Sequence, residues 1–424
     1  MAEFDHEDGP HGQVAVPAPL MSGAGRAVLR ALPNSRAVGG CVRDALAGRP
    51  IADIDVGVPL PPEEAVRLLR AAGLKVVETG LAHGTVTAIL TGEPVEVTSL
   101  RRDVATDGRH AEVEWTTSWR EDAARRDFTI NAMSLDAEGR LWDWFGGRAD
   151  LAAGVVRFVG EPRQRLREDY LRALRFFRFQ ARYGTGTPDP GALAAIRDAA
   201  GELHRLSAER VWSELKRLLA APDPTGALQL MAETGVLRAV LPEADPALLP
   251  GLGRAIAAGM PADPVLRLAA LLPRGDAGGA AQGTGREIAD RLRFSNEERS
   301  NLEALEKLIR REDFGGSPGL LDDAAFRRWL VTRGDPLLPV GEAWLTQARE
   351  GHDASALRAR IAATPFPVFP LLGRDAVAAG VRPGPALGRL LGEVRAWWLA
   401  GGCTADAEAC RAELRRRVTD DSAR

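Results

Sequence analysis

The sequence predicts an α+β fold: a mixed strand-and-helix head followed by an all-α remainder. Two observations predict it. Between residues 25 and 150, short apolar runs rich in β-branched residues alternate with helical stretches. From about residue 151 onward long helical patterns dominate. They are interrupted at Gly184–Pro190, at Pro222–Pro224 and at the Gly/Ala-rich Pro273–Gly285. A chain of 424 residues is long enough for several domains and a substantial core.

Residues 1–24 carry acids and two histidines but no apolar core segment, so they read as a flexible lead and not as a secretory signal. Arg36 to Val38 reads as a short strand. Gly39 and Gly40 let the backbone turn tightly and approach a ligand. Val42 to Leu46 forms one or two helical turns, ended by Gly48 and Pro50. Ile51 to Val56 reads as the next strand. Further strands are expected at Lys75–Glu78, Thr85–Leu90, Val95–Ser99, Thr129–Leu135 and Leu141–Trp144. Gly283-Thr284-Gly285 has part of a dinucleotide-loop pattern, but no strand precedes it, so it reads as linker.

Composition excludes several classes. The net charge of −3 gives no global basic signature, so any RNA contact rests on local patches. Arginine outnumbers lysine, and guanidinium groups suit phosphate. Three scattered cysteines, Cys41, Cys403 and Cys410, form neither a zinc pattern nor a disulfide framework, which points to a reducing cytoplasm. No apolar run is long enough to cross a membrane.

The most informative stretch joins Gly39-Gly40-Cys41-Val42-Arg43-Asp44 to Asp53-Ile54-Asp55. A helix N-terminus offers free N–H groups to an anion, and Arg43 adds a positive fork. On a strand, Asp53 and Asp55 share one face, with Ile54 opposite. Two carboxylates so close repel unless a cation neutralises them, and oxygen ligands suit Mg²⁺. Taken alone, Asp-x-Asp is commonly a solvated turn and Gly-Gly only a turn. Together, in this order, they point to chemistry on a nucleoside triphosphate. In Pro94-Val95-Glu96-Val97-Thr98, Glu96 faces away from Val95 and Val97. If this strand lies beside the Asp strand, Glu96 becomes a third carboxylate; otherwise it is a solvent-facing glutamate.

Arg101 to His110 reads as a charged, mobile loop, either a lid over a nucleotide or a plain surface loop. In Arg125-Arg126-Asp127-Phe128-Thr129-Ile130-Asn131, Arg126 is placed to bind triphosphate, while Asp127 and Asn131 fix it or the backbone. The run Glu168 to Phe179 reads as a helix with arginines at every third position, Arg172, Arg175 and Arg178. Steps of three form an inclined ridge, and Leu171, Leu174, Phe177 and Ala181 should be core. Asp169 and Arg172, at i and i+3 of that helix, are neighbours. A carboxylate accepts and a guanidinium donates, which matches the amino donor and ring-nitrogen acceptor shared by cytosine and adenine. Uracil and guanine present the reverse order. Arg175 and Arg178 then reach the triphosphate or the primer. Ser207 should cap a helix through Leu219 that braces the arginine helix.

These motifs resemble those of class II tRNA nucleotidyltransferases, the CCA-adding enzymes, and of the related bacterial poly(A) polymerases. The resemblance rests on Gly39-Gly40-x-Val42-Arg43-Asp44 with Asp53-x-Asp55 and on Arg125 through Ala132. It continues with Glu168-Asp169-x-x-Arg172-x-x-Arg175-x-x-Arg178-Phe179 and with Glu209-Arg210 and Glu214. It covers about residues 36–219; beyond 220 only helical character matches.

The resemblance implies a polymerase-β-like catalytic head over 25–150 and a helical neck over 151–220. A body over 221–330 and a tRNA-binding tail over 331–424 follow. It implies Asp53 and Asp55 as metal ligands and Glu96 as a candidate third catalytic carboxylate. Gly40, Arg43 and Arg126 would contact the incoming nucleotide. Asp169 and Arg172 would select C and A, with Arg175 and Arg178 completing the site. Arg101 to His110 corresponds to the flexible loop of CCA- and A-adding members, although Val104-Ala105-Thr106 departs from the family's aromatic position. The implied activity is addition of CCA to tRNA from CTP and ATP with Mg²⁺. A poly(A) polymerase or A-adding relative is the alternative, against which the short final cluster Arg411, Arg415, Arg416 and Arg417 weighs. His352-Asp353 stands without companion ligands, so no histidine-aspartate phosphohydrolase domain is expected.

Overall fold

A computed structural model describes residues 9–81, 84–106, 111–274, 284–311, 314 and 316–422. The chain divides into two units, Met1–Pro242 and Glu243–Arg424.

The first unit contains an eight-stranded mixed sheet. Its strands are β1 (Gly12–Gln13), β2 (Arg36–Val38), β3 (Asp55–Val58), β4 (Lys75–Gly80), β5 (Thr85–Leu90), β6 (Glu93–Ser99), β9 (Ser134–Leu135) and β10 (Arg140–Trp142). The two strands between these in sequence, β7 (Arg101–Thr106) and β8 (Ala111–Trp115), form a separate antiparallel hairpin. Across the large sheet the order is β1-β10-β9-β2-β3-β6-β5-β4. Only β3 and β6 run parallel, with Asp55 opposite Glu96. Parallel neighbours need a crossover, and the helix Pro62–Ala71 with strands β4 and β5 supplies it. Val56, Val58, Val95 and Val97 point into the head core with Val28, Leu69 and Val86. The opposite residues of β3 and β6 therefore face the site.

Three expectations change here. The lead carries structure from Gly12 on: Gly12 pairs with Leu141 and Gln13 with Arg140, and Leu20 and Ala24 are 1% exposed in the head core. Burial of these side chains holds the segment down; residues 1–8 lie outside the described residues. Thr129–Leu135 is not one strand. Thr129–Asn131 forms a 3-10 turn and only Ser134–Leu135 is β. Asn131 Nδ2 donates to Asp127 Oδ1 (2.9 Å) and Thr129 Oγ1 to Asp150 (2.5 Å), and these side-chain bonds favour a local turn over a ladder. The expected loop Arg101–His110 is instead mostly hairpin, with 107–110 outside the described residues.

The helix Leu171–Tyr183 follows the head. Arg172, Arg175 and Arg178 are half-buried, whereas Leu171, Leu174, Phe176, Phe177 and Phe179 are buried. Phe128 and Phe158 pack with Phe176, at ring distances of 6.2 and 6.0 Å. This aromatic cluster fixes the arginine ridge beside the Arg125–Asn131 run. The helix Ala208–Leu219 packs along it.

Among the described residues, the second unit is helical, from Leu249–Ala257 to Ala407–Ser422. Thr284, expected in a linker, instead caps the helix Gly285–Arg291 through a capping box with Glu287. One core cluster joins Phe326, Trp329 and Leu330 to Ala343, and another gathers around Leu390, Val394 and Trp398. No described helix is long and apolar enough to cross a membrane.

Candidate active site

β3 begins at Asp55, so Asp53 lies just before the strand and not within it. Asp53 is exposed and Asp55 half-buried. Ile54 turns inward against the core, and its carbonyl accepts from the Glu96 N–H (3.0 Å). Parallel register sets Glu96 beside Asp55. Burial, then the Glu96 charge, pushes the Asp55 carboxyl above its ordinary value. Asp53 adds to the rise and Arg126 opposes it. The Glu96 and Asp53 charges both act on Asp55, and a cation there would relieve the repulsion. Among the described residues no group of three His, Cys, Asp or Glu is gathered closely enough to hold a metal by itself. The Asp53/Asp55 pair, with Glu96 alongside, could hold a cation only with ligands from elsewhere. That fits a hard cation that takes one or two carboxylates and completes its shell with substrate phosphates and water.

The Gly-Gly turn sits directly after β2. Gly39 has φ +69°, a conformation that favours glycine, and a Cβ there would lie 2.9 Å from Arg126 Nη1. At Gly40, the first residue of the helix Gly40–Leu46, a Cβ would lie 3.5 Å from Arg43 Nη2. Two guanidinium groups therefore flank the turn. Arg43 donates to Asn131 Oδ1 (2.6 Å) and to both Asp44 oxygens (3.2 and 3.0 Å). It also stacks 4.5 Å from the Tyr183 ring and 5.0 Å from Phe179. Tyr183 Oη in turn donates to Asp44.

Arg126 donates from Nη2 to Asp122 Oδ2 (3.1 Å). Asp127 accepts from Phe128 N–H and Asn131 Nδ2 on one oxygen and from Arg175 Nε (2.7 Å) on the other. Burial alone would raise the Asp127 pKa, but the Arg175 charge and these hydrogen bonds outweigh it, and the net direction is downward. Arg178 donates to buried Glu214 (2.6 Å) and lies 4.2 Å from the Phe179 ring. Burial lowers the Arg178 pKa in spite of Glu214.

Asp169 and Arg172 differ from the expected helical pair. One helix ends at Glu168, Asp169 is extended at φ −158°, and the arginine helix starts at Leu171. Asp169 Oδ1 accepts from the Leu171 N–H (3.0 Å) and Oδ2 from Arg210 Nη2 (2.6 Å). Arg172 pairs with Glu168 and donates to the carbonyls of Arg165 (3.0 Å) and Arg125 (3.2 Å). The break has a cause: an Asp before a helix bonds its free N–H groups. Sequence reasoning missed Glu168, Asp122 and Asp44 as partners of the site arginines. Their signal was an acid within four residues of each arginine. Glu214 and Arg210, matched only as bracing, ion-pair with Arg178 and with Asp169.

Residues 35–157 match the family described as "Poly A polymerase head domain", and residues 187–248 match "Probable RNA and SrmB- binding site of polymerase A". The chain is 36% identical over 368 residues to "CCA tRNA nucleotidyltransferase 1, mitochondrial" of Danio rerio, covering 86% of this chain and 83% of that protein. The protein of the same name from Homo sapiens is 35% identical, with 87% and 83% covered. Among solved structures, a CCA-adding enzyme of Bacillus stearothermophilus in complex with CTP superposes with a TM-score of 0.71 at 25% identity, covering 96% of this chain and 99% of that one. With these matches running through both the head and the helices beyond it, the chain belongs to the CCA tRNA nucleotidyltransferase family, the CCA-adding enzymes.

Proposed function

We propose that this chain adds C, C and A to the 3′ end of tRNA from CTP and ATP without a nucleic-acid template, releasing pyrophosphate. The observation that carries this reading is the turn at Gly39 and Gly40, flanked by Arg43 and Arg126, beside the Asp55/Glu96 register. The turn leaves room for phosphates, and the two guanidinium groups neutralise them. Asp53 and Asp55 would hold Mg²⁺, which when bound activates the attacking ribose hydroxyl and stabilises the leaving pyrophosphate. Glu96 adds negative charge beside that pair. Arg175 and Arg178 face the triphosphate or primer, oriented by Asp127 and Glu214. Asp169 and Arg172 present an acceptor and a donor set to the base edge. A mismatched base leaves buried polar groups unpaired, at about 1–3 kcal/mol each.

The helical segments 221–330 and 331–424 would serve as body and tail, the tail holding tRNA by its shape and phosphates. The absence of a disulfide framework favours a reducing compartment, the cytoplasm, although the vertebrate relatives carry "mitochondrial" in their names. A poly(A) polymerase or A-adding activity is the weaker reading, since the curated relatives above are named for CCA. Primer extension on tRNAs lacking the whole CCA, its CA or its A, with each nucleotide singly and with CTP plus ATP, tests the assignment. Addition of CCA that then stops is expected. Long adenosine tails, or addition of A only to a CC end, would overturn it.

A further inference from the structure

Asp122 lies outside every motif that the proposed chemistry uses, yet it is a carboxylate only 3% exposed. It sits in the helix Trp119–Ala124, which follows the β7–β8 hairpin. That helix is anchored to the sheet at its first residue. A Cβ on Gly57 of β3 would lie 3.0 Å from the Trp119 ring, which also covers the Arg36 guanidinium at 4.4 Å. Ser118 caps the helix by accepting from the Glu121 N–H (3.3 Å).

From this fixed position Asp122 reaches three groups. Oδ1 accepts from Arg125 Nη2 (2.7 Å) and Nε (2.9 Å), and more distantly from the Arg101 backbone N–H (3.4 Å), at the first residue of β7. Oδ2 accepts from Arg126 Nη2 (3.1 Å). Arg126 is the guanidinium over the Gly39 turn, and its charge acts on Asp55. The carbonyl of Arg125 accepts from Arg172 (3.2 Å). A second link ties the helix to the hairpin: Glu121 accepts from Thr116 Oγ1 (2.5 Å) and Arg102 Nη1 (3.4 Å).

We infer that Asp122 is a positioning residue that joins the root of the β7–β8 hairpin to Arg126, so that hairpin placement and triphosphate binding are set together. Both oxygens are used at once, Oδ1 on Arg125 and on the Arg101 N–H at the hairpin root, and Oδ2 on Arg126. An arginine without that anchor has many rotamers and loses side-chain entropy on each binding event. Held by a buried carboxylate, it meets the triphosphate already oriented. The inference rests on the proposed function, because it takes Arg126 as a triphosphate contact.

The test is a double-mutant cycle on the full chain with Asp122→Asn, Arg126→Ala and the pair. The readouts are KM and kcat for CTP on tRNA lacking its CCA, with thermal melting alongside. Asp122→Asn keeps the shape but turns one oxygen into a donor facing a guanidinium. Loss of a charge-assisted hydrogen bond predicts a KM rise on the order of tenfold, with kcat changed much less. In the pair the two effects should be strongly non-additive, since Asp122 acts through Arg126. If Asp122→Asn does not stay folded at assay temperature, Asp122→Glu keeps the charge, displaces the guanidinium and should raise KM in the same sense. An unchanged KM with a raised KM in Arg126→Ala, or additive effects, would overturn the coupling and leave the proposed function standing. An unchanged KM in Arg126→Ala would instead remove Arg126 from the nucleotide site, and with it that part of the proposed function.

Discussion

Asp127→Asn isolates the ion pair that ties the head to the arginine helix. Asp127 is 8% exposed. Its Oδ1 accepts from Phe128 N–H and Asn131 Nδ2, both at 2.9 Å, and its Oδ2 accepts from Arg175 Nε at 2.7 Å with Nη2 at 2.5 Å. Asparagine can retain the first set through its carbonyl. Its amide then turns two N–H donors toward a guanidinium. A lost charge-assisted hydrogen bond is worth about 1.5–3 kcal/mol. Arg175 keeps 32% of its side chain in solvent and recovers part of its hydration, which limits the penalty. A net loss of about 1–2 kcal/mol is expected, with roughly 2–4 °C of Tm lost per kcal/mol in a unit of this size.

The folded Asp127 carboxyl lies below its unfolded value: burial would raise it, but Arg175 and the hydrogen bonds outweigh burial. A depressed carboxylate contributes fully above the unfolded pKa, about 3.9, and loses that contribution as pH falls through the folded value. Calorimetry of wild type and Asp127→Asn should therefore show a constant Tm gap from pH 7 down to about 4 and a narrowing gap below. No gap at pH 7, or the same gap at pH 3, would refute the view that the charged pair stabilises the fold.

Three further substitutions probe the site. Asp53→Ala should abolish nucleotide incorporation while leaving tRNA affinity in a filter-binding assay largely intact; incorporation at the wild-type rate would remove Asp53 from the metal pair. Arg172→Ala should admit U or G in a four-nucleotide competition more than it slows addition of C, and unchanged discrimination would end its role in base selection. Gly39→Ala forces a side chain at φ +69°, 2.9 Å from Arg126 Nη1. A cost of about 1–3 kcal/mol in calorimetry and a raised KM for both CTP and ATP are expected, whereas an unchanged KM would show that the turn does not place Arg126.

Much of the sheet was legible because periodicity and burial agree there. Thr85–Leu90 appears as the strand expected, and Val95–Ser99 lies within β6. In both, β-branched residues alternate between core and surface, so the local pattern and the final environment coincide. Legibility failed where side chains compete with the backbone. Asp127, Asn131 and Asp150 drew Thr129–Asn131 into a turn, and Asp169 ended what arginine spacing alone made a continuous helix. The hairpin was hidden by its charge. The density of ionic residues over Arg101 to His110 suggested a loop, and the alternating Glu112, Val113, Glu114 and Trp115 beyond it were not read as its partner strand. The Asp55/Glu96 register could not be read from either strand alone, because parallel pairing depends on the long crossover between Val58 and Glu93.

The pairing of the arginines would let a chain with net charge −3 build the proposed phosphate site. Each arginine proposed for the nucleotide is paired with an acid: Arg43 with Asp44, Arg126 with Asp122, Arg172 with Glu168, Arg175 with Asp127 and Arg178 with Glu214, although Asp122 is shared with Arg125 and Glu168 with Arg165. At a distance these pairs largely cancel, so the site adds little to long-range steering of a polyanion. At hydrogen-bond range they do not cancel, because each guanidinium has five N–H donors and its acid occupies only some of them. The unused donors are held in place before the nucleotide arrives. Selectivity then depends on fixed geometry and not on total positive charge. For an enzyme that must choose two bases out of four without a paired strand, fixed donors matter more than attraction, since attraction to phosphate is the same for every nucleotide.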